Sequence, residues 1–239
     1  MRRALVAAFA AALALPAATT AASPITVFAA ASLTGAFPQI SAAPRYSFAG
    51  SDQLALQIRE GAPADVYAAA STRYPDELFR AGLVERPRVF ATNRLVLVVP
   101  RSNPGDIDSV WDLRAGGLKI VIGQAGVPIG DYTREALRRL GLLADVVGNV
   151  VSEEPDVKSI VAKVALGEAD AGFVYLTDVR PAASRLRAIE LPARAQPRVR
   201  YEIAVVRKSP NRAAARAFVA RVLGNTGRRA LTDSGFGLP

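Results

Sequence analysis

The chain has 239 residues, enough for one large domain or two modest ones, either able to bury a core. It contains no cysteine and no histidine, which excludes disulfides, thiol nucleophiles, Cys/His metal sites and every histidine-dependent triad. Its formal charge of +9 sits on arginines that are dispersed and not interleaved with aromatics; that is a solvated surface with weak attraction for anions, and it points away from a nucleic-acid partner.

Met1-Arg2-Arg3, an apolar run over residues 4–15 and the small residues that follow have the layout of a secretory signal peptide, with cleavage expected after Ala22. The apolar run is about a dozen residues, too short to span a bilayer. The cleavage site lacks the cysteine of a lipoprotein, so the mature protein is expected to be exported to the periplasm and soluble. An all-apolar first strand is expected over residues 24–30, then a brief or irregular helix over 32–41 because Pro38 lies inside it. A second strand follows at 45–49. A helix opens at Gly50-Ser51 and stops at Gly61, with Pro63 barring its continuation. A short strand at 65–68, a helix at 72–82 and a buried strand at 94–100 come next. Ser102-Asn-Pro-Gly is a turn cluster and a candidate boundary.

Beyond it the pattern predicts a helical turn at 110–113, a strand at 118–123, and a helix from Pro128 to a stop at Gly141. Strands at 146–151 and 171–175 flank a helix that begins near Glu154-Pro-Asp-Val and buries Val157, Ile160, Val161 and Val164 on one face. A helix at 176–178, a long strand at 198–206 and two terminal helices, 210–223 and 226–234, complete the chain. Such regular alternation predicts an α/β protein with parallel sheets. The buried strands near 95–99 and 204–207 bracket the middle of the chain. They are read as two crossings between a discontinuous first domain, 23–98 with 205–239, and a second domain, 99–204.

Three places join a strand end to a helix start through small residues only: Ala29-Ala30-Ala31-Ser32, Gly50-Ser51 and Ala70-Ser71. A helix start offers unpaired N–H groups and positive partial charge, so such junctions suit an anion. Gly123-Gln-Ala-Gly126-Val-Pro-Ile-Gly130 has neither dinucleotide-fingerprint spacing nor the Lys-Ser/Thr of a phosphate loop, and reads as a strand-to-helix turn. Glu153, Glu154 and Asp156 are expected to favour a helix N-terminus, and Asp65 to bond local backbone in its turn. Ser32 and Ser51 read as helix caps or anion donors. A Ser-Lys hydrolase would need one of Lys119, Lys158, Lys163 or Lys208 beside them, and none shares a motif with a serine.

Ile25-Thr-Val-Phe-Ala-Ala-Ala-Ser-Leu-Thr, Gln57-Ile58 with Gly61-Ala-Pro-Ala-Asp-Val, Val127-Pro-Ile-Gly-Asp-Tyr, Asp156-Val157 and Gly172-Phe-Val-Tyr175 together resemble the periplasmic molybdate-binding proteins, the binding components of ABC-type molybdate importers. The resemblance runs in order over the whole mature chain. It implies a two-domain Venus-flytrap clamp of the class II kind with two crossing strands, no enzymatic activity and no cofactor. The implied ligand is molybdate or tungstate, held by neutral donors only, and the implied partner is the membrane permease of the importer, served by a monomer. The implied donors are the groups of Ser32 and Ser51 and the backbone N–H of Ala70 from the first domain. From the second come the N–H groups of Ile129 and Val157 and the phenol of Tyr175. Another oxyanion such as sulfate is the alternative ligand.

Overall fold

The computed structural model describes residues 24–239; the expected signal peptide lies outside the described residues. In chain order the strands are β1 (Thr26–Ala30), β2 (Arg45–Ala49), β3 (Val66–Ala69), β4 (Arg88–Asn93), β5 (Leu95–Pro100), β6 (Ile120–Gly123), β7 (Val150–Glu154), β8 (Ala171–Tyr175), β9 (Leu186–Glu190) and β10 (Val199–Val205). The α-helices are α1 (Phe37–Ile40), α2 (Ser51–Arg59), α3 (Arg73–Arg80), α4 (Pro128–Leu140), α5 (Leu143–Val147), α6 (Val157–Ala165), α7 (Leu176–Val179), α8 (Arg212–Leu223) and α9 (Asn225–Asp233). The strands form two five-stranded sheets, ordered β2-β1-β3-β10-β4 and β7-β6-β8-β5-β9.

Each sheet is parallel except for one reversed strand, β10 in the first and β5 in the second. The expectation of wholly parallel sheets therefore fails at one strand per sheet. The reason is the route of the chain: β4 and β9 run toward the passage between the sheets while β5 and β10 run away from it, so β10 lies antiparallel to β4 and β5 antiparallel to β9. β5 pairs only within the second sheet and β10 only within the first. Residues 98 and 204, the expected domain edges, thus lie inside strands that stay in one sheet. The chain passes between sheets at Arg94 and again between Glu190 and Val199. The Ser102-Asn-Pro-Gly cluster is a turn beyond β5, eight residues past the first passage.

At the passage the two segments are tied together. The side-chain amide of Gln196 donates to the Leu95 carbonyl at 2.8 Å and accepts the Leu95 N–H at 3.1 Å, and Arg94 pairs with Glu190 at 2.7 Å. Local chemistry fixes the helices that matter for the cleft. Gly50 precedes α2 in an extended conformation, while Leu54, Ala55 and Ile58 bury its inner face and Gly61 ends it at φ +91°. Pro128 occupies the first position of α4, where its missing N–H is no loss, and left-handed Gly141 closes the helix. Asp156 caps α6 by accepting the N–H groups of Lys158 (2.7 Å) and Ser159 (3.1 Å).

Residues 32–41 form a 3-10 turn (Ala31–Leu33) and the single-turn α1 with Pro38 in its first turn, the brief and irregular helix expected there. Three other local expectations are corrected. Val146 and Val147 belong to α5, and the strand begins only at Val150, because Gly148-Asn149 ends the helix. Glu153 and Glu154 lie in β7, where Glu154 pairs with Lys163 at 2.6 Å; only Asp156 serves the helix start. Asp65 does not bond its own turn. It accepts the Thr26 N–H (2.6 Å), the Ser209 hydroxyl (2.5 Å) and the Asn211 amide (3.3 Å), and so staples β1 to the segment after β10.

Candidate functional site

One small cavity is lined by Ala30, Ala31 and Ser32 after β1, Ala49, Gly50 and Ser51 at the start of α2, and Ala70 after β3. Facing them are Val127, Pro128 and Ile129 at the start of α4, Asp156 and Val157 at the start of α6, and Tyr175 at the end of β8. All six residues proposed from the sequence line it, three from each sheet. Its volume is about 20 Å³. That exceeds the roughly 10–15 Å³ needed for a water and falls far below the roughly 300–1,000 Å³ of pockets for organic ligands. The space suits a compact ion.

Helices α2, α4 and α6 all begin at this cavity. Ser51 and Val157 are the first residues of their helices and Ile129 the second, so their N–H groups have no partner within the helix. Neither lysine nor arginine is among the described residues lining the cavity. The Asp156 carboxylate is turned back into its own helix start. Gly123 and Gly130 explain the glycine-rich segment: a Cβ on Gly130 would lie 2.1 Å from the Gln124 carbonyl, and one on Gly123 2.6 Å from the Gly130 nitrogen. Only glycine lets the start of α4 seat this tightly on the end of β6.

Tyr175 is buried, its ring edge-on to Tyr132 and Tyr201, and its hydroxyl has no hydrogen-bond partner among the described residues. Burial pushes its phenol well above the ordinary tyrosine value, so it stays protonated and can donate. Ser51 Oγ accepts the Ala70 N–H at 3.0 Å, which leaves the serine's own hydrogen to donate. The Ala70 N–H, expected to face a ligand, is bonded to Ser51 Oγ in this structure. Ser32 Oγ lies 3.0 Å from the Tyr201 hydroxyl. Neither serine has a lysine partner, so the geometry lends nothing to Ser-Lys chemistry. Among the described residues no group of three or more acidic side chains could hold a metal ion.

Sequence reading missed the contacts that join the two halves beside the cavity. Tyr74 of α3 donates to the Gly126 carbonyl and Arg73 reaches Asp131 Oδ2 at 3.4 Å, while within the second half the Gly126 N–H donates to Asp131 Oδ1 at 2.9 Å. Only the left-handed φ of Gly126, +92°, marks the spot in the backbone. Removing the Tyr74 hydroxyl by Tyr74→Phe is expected to weaken anion binding by about 1 kcal/mol, roughly fivefold. It should do so through faster release and with unchanged preference among anions, which stopped-flow displacement would measure.

Glu202 of β10 is buried opposite Ala69 of β3, and its Oε2 has no partner among the described residues. Burial pushes its carboxyl up to about 7, with Asp76 adding to the shift and Arg200 opposing it. The folded protein therefore holds a proton that the unfolded chain releases. Stability from the neutral form is full below the ordinary glutamate value of 4.5 and is lost as pH rises to about 7. Glu202→Gln is expected to melt about 2–4 °C above the parent near pH 8, for a difference of about 1 kcal/mol, with the gap closing near pH 4. Calorimetric melting at both pH values checks it.

A crevice between two α/β halves, with helix starts, hydroxyls and a lone phenol converging on an ion-sized space, defines a solute-binding protein of the two-domain periplasmic kind. The chain belongs to the bacterial extracellular solute-binding protein family, whose model matches residues 25–237. It is 41% identical over 225 residues to the molybdate-binding protein ModA of Mycobacterium tuberculosis, covering 90% of this chain and 85% of that one. It is 31% identical over 210 residues to ModA of Escherichia coli, covering 81% of each. Among solved structures the periplasmic molybdate-binding protein of Azotobacter vinelandii shares the fold, with a TM-score of 0.82 at 24% identity over 90% of this chain and 99% of that one.

Proposed function

We propose that this protein captures molybdate, and tungstate with it, in the cavity between its two halves, and delivers the anion to the membrane permease of an ABC importer. It acts as a monomer in the periplasm after loss of residues 1–22, without a cofactor. Among the described residues no helix is long and apolar enough to cross a membrane. The two lobes follow the sheets, with residues 24–93 and 199–239 in one and 95–190 in the other. The donors are the Ser32 and Ser51 hydroxyls, the N–H groups of Ser51, Ile129 and Val157, and the Tyr175 phenol, with Ala70 acting through Ser51.

The observation that carries this reading is the buried Tyr175 hydroxyl, without a partner among the described residues, at a cavity where three helix starts converge. A buried polar group left unpaired is costly, so an acceptor is expected there. Similarity to molybdate-binding proteins along most of the chain supports the choice of acceptor. A site built of donors also sorts anions by protonation. Hydrogen phosphate brings a P–OH that finds no acceptor, at about 1–3 kcal/mol; molybdate, tungstate and sulfate avoid that cost and differ by size. Calorimetric titration of the mature protein should give molybdate and tungstate the tightest binding, sulfate weaker, and hydrogen phosphate weaker by roughly 5–150-fold than molybdate. Equal binding of hydrogen phosphate and molybdate would refute the donor-only site; tightest binding of sulfate would reassign the ligand.

A further inference from the structure

We infer that Asn93 and Tyr201 are positioning residues that set the polarity of Ser32, turning its hydroxyl into an obligatory donor toward the bound anion. The inference rests on the oxyanion reading above and adds to it the source of discrimination against protonated anions.

The polarity can be read from one end of a short chain of hydrogen bonds. Asn93 Oδ1 accepts the Arg94 N–H at 2.9 Å. That bond fixes the amide, because a flip would set the NH2 group against the N–H. Asn93 Nδ2 then donates its two hydrogens, one to Thr177 Oγ1 at 2.9 Å and one to the Tyr201 hydroxyl oxygen at 3.3 Å. A phenol that accepts from an amide has one hydrogen left to give, and the atom within reach is Ser32 Oγ at 3.0 Å. Burial holds the Tyr201 phenol well above the ordinary tyrosine value, so that hydrogen is present. Ser32, accepting from Tyr201, keeps its own hydrogen for the cavity it lines.

Ser51 reaches the same polarity by a different route, since its oxygen accepts a backbone N–H that cannot be reversed. For Ser51 donation is built into the main chain. For Ser32 it depends on a side-chain amide at the passage between the sheets, 61 positions away in sequence. Asn93 also touches both halves, through Tyr201 on β10 and Thr177 on α7.

The test replaces the amide donor with an acceptor. In Asn93→Asp one carboxylate oxygen still accepts the Arg94 N–H, while the other accepts from Tyr201. Tyr201 must then accept from Ser32, and the Ser32 oxygen presents lone pairs to the cavity. Molybdate and hydrogen phosphate are titrated into the parent, Asn93→Asp and Tyr201→Phe in mildly alkaline solution, where both anions carry two charges. The added charge of Asn93→Asp then weakens both alike, and the ratio of their dissociation constants isolates polarity. The ratio is expected to shift toward hydrogen phosphate by about tenfold in Asn93→Asp, and by a few-fold in Tyr201→Phe, where Ser32 is free to turn. An unchanged ratio in a folded Asn93→Asp would overturn the inference. Should that variant fail to fold, an unchanged ratio in Tyr201→Phe, which keeps the packed ring, would overturn it equally. A parent that does not prefer molybdate to hydrogen phosphate would overturn both this inference and the functional reading; a parent that does, with unmoved variants, would overturn this one alone.

Discussion

Gly50→Ala is expected to weaken oxyanion binding by roughly 5–150-fold while leaving the unliganded fold intact. A methyl at position 50 would lie 2.5 Å from the Pro155 carbonyl oxygen and 2.7 Å from Asp52 Oδ1. Asp52 is a side chain and can turn aside. The Pro155 carbonyl is main chain, and it belongs to the other half of the molecule, between β7 and α6. Gly50 itself has φ −56° and ψ 137°, which any residue adopts, so alanine carries no local strain. The collision exists only when the halves are together. Forcing extra bulk into a packed contact costs typically about 1–3 kcal/mol, and here that cost falls on the closed form in which both sets of donors reach one anion. Calorimetric titration reads the affinity, and thermal unfolding without anion reads the fold. Parent-like affinity would mean that the halves need not meet at Gly50; a large loss of melting temperature would mean that the contact is structural.

Tyr175→Phe is expected to weaken molybdate binding by roughly 1.5–3 kcal/mol, the range for a hydrogen bond to a charged group, which is tenfold or more. The ring stays, with its edge-on contacts to Tyr132 and Tyr201. The buried hydroxyl it removes has no partner among the described residues, so the variant should be at least as stable as the parent in the absence of anion. This separates Tyr175 from an ordinary strand-end aromatic, for which the substitution would change neither property. Burial keeps the phenol protonated well beyond neutral pH, so the contribution should not vary between pH 6 and 8.

Much of the cavity was legible because its donors are set by local rules. Gly50-Ser51, Pro128 and Asp156 mark helix starts through short-range chemistry, and Gly61 and Gly141 mark helix ends by needing positive φ. Those signals located the starts of α2, α4 and α6 and singled out Ser51, whereas Ile129, Val157 and Tyr175 were reached only through the resemblance to the molybdate-binding proteins. The edge strands β4 and β9 were not legible. Arg88-Val-Phe-Ala-Thr-Asn and Leu186-Arg-Ala-Ile-Glu are short and half-exposed, and their pairing partners lie far along the chain. Missing them displaced the passage between the halves by several residues. Asn93 was hidden for the same reason, since it terminates β4. Tyr201 read as one more alternating strand residue, because its link to Ser32 spans 169 positions and leaves no local trace. The bond from the Ala70 N–H to Ser51 Oγ was not legible either: sequence patterns locate an N–H but do not say which oxygen turns toward it.

One oxyanion is expected to sit where α2, α4, α6 and Tyr175 converge, bound by donors from both halves. A crystal structure of the mature protein grown with tungstate tests it most directly, since the metal's anomalous scattering fixes its position independently of the protein. A single strong peak in the cavity is predicted, with tungstate oxygens within hydrogen-bond distance of Tyr175 Oη, Ser51 Oγ, Ser32 Oγ and the N–H groups of Ile129 and Val157. A peak elsewhere, such as the neighbouring pocket that carries Lys158 and Arg180, or a peak held by one half alone, would contradict the account.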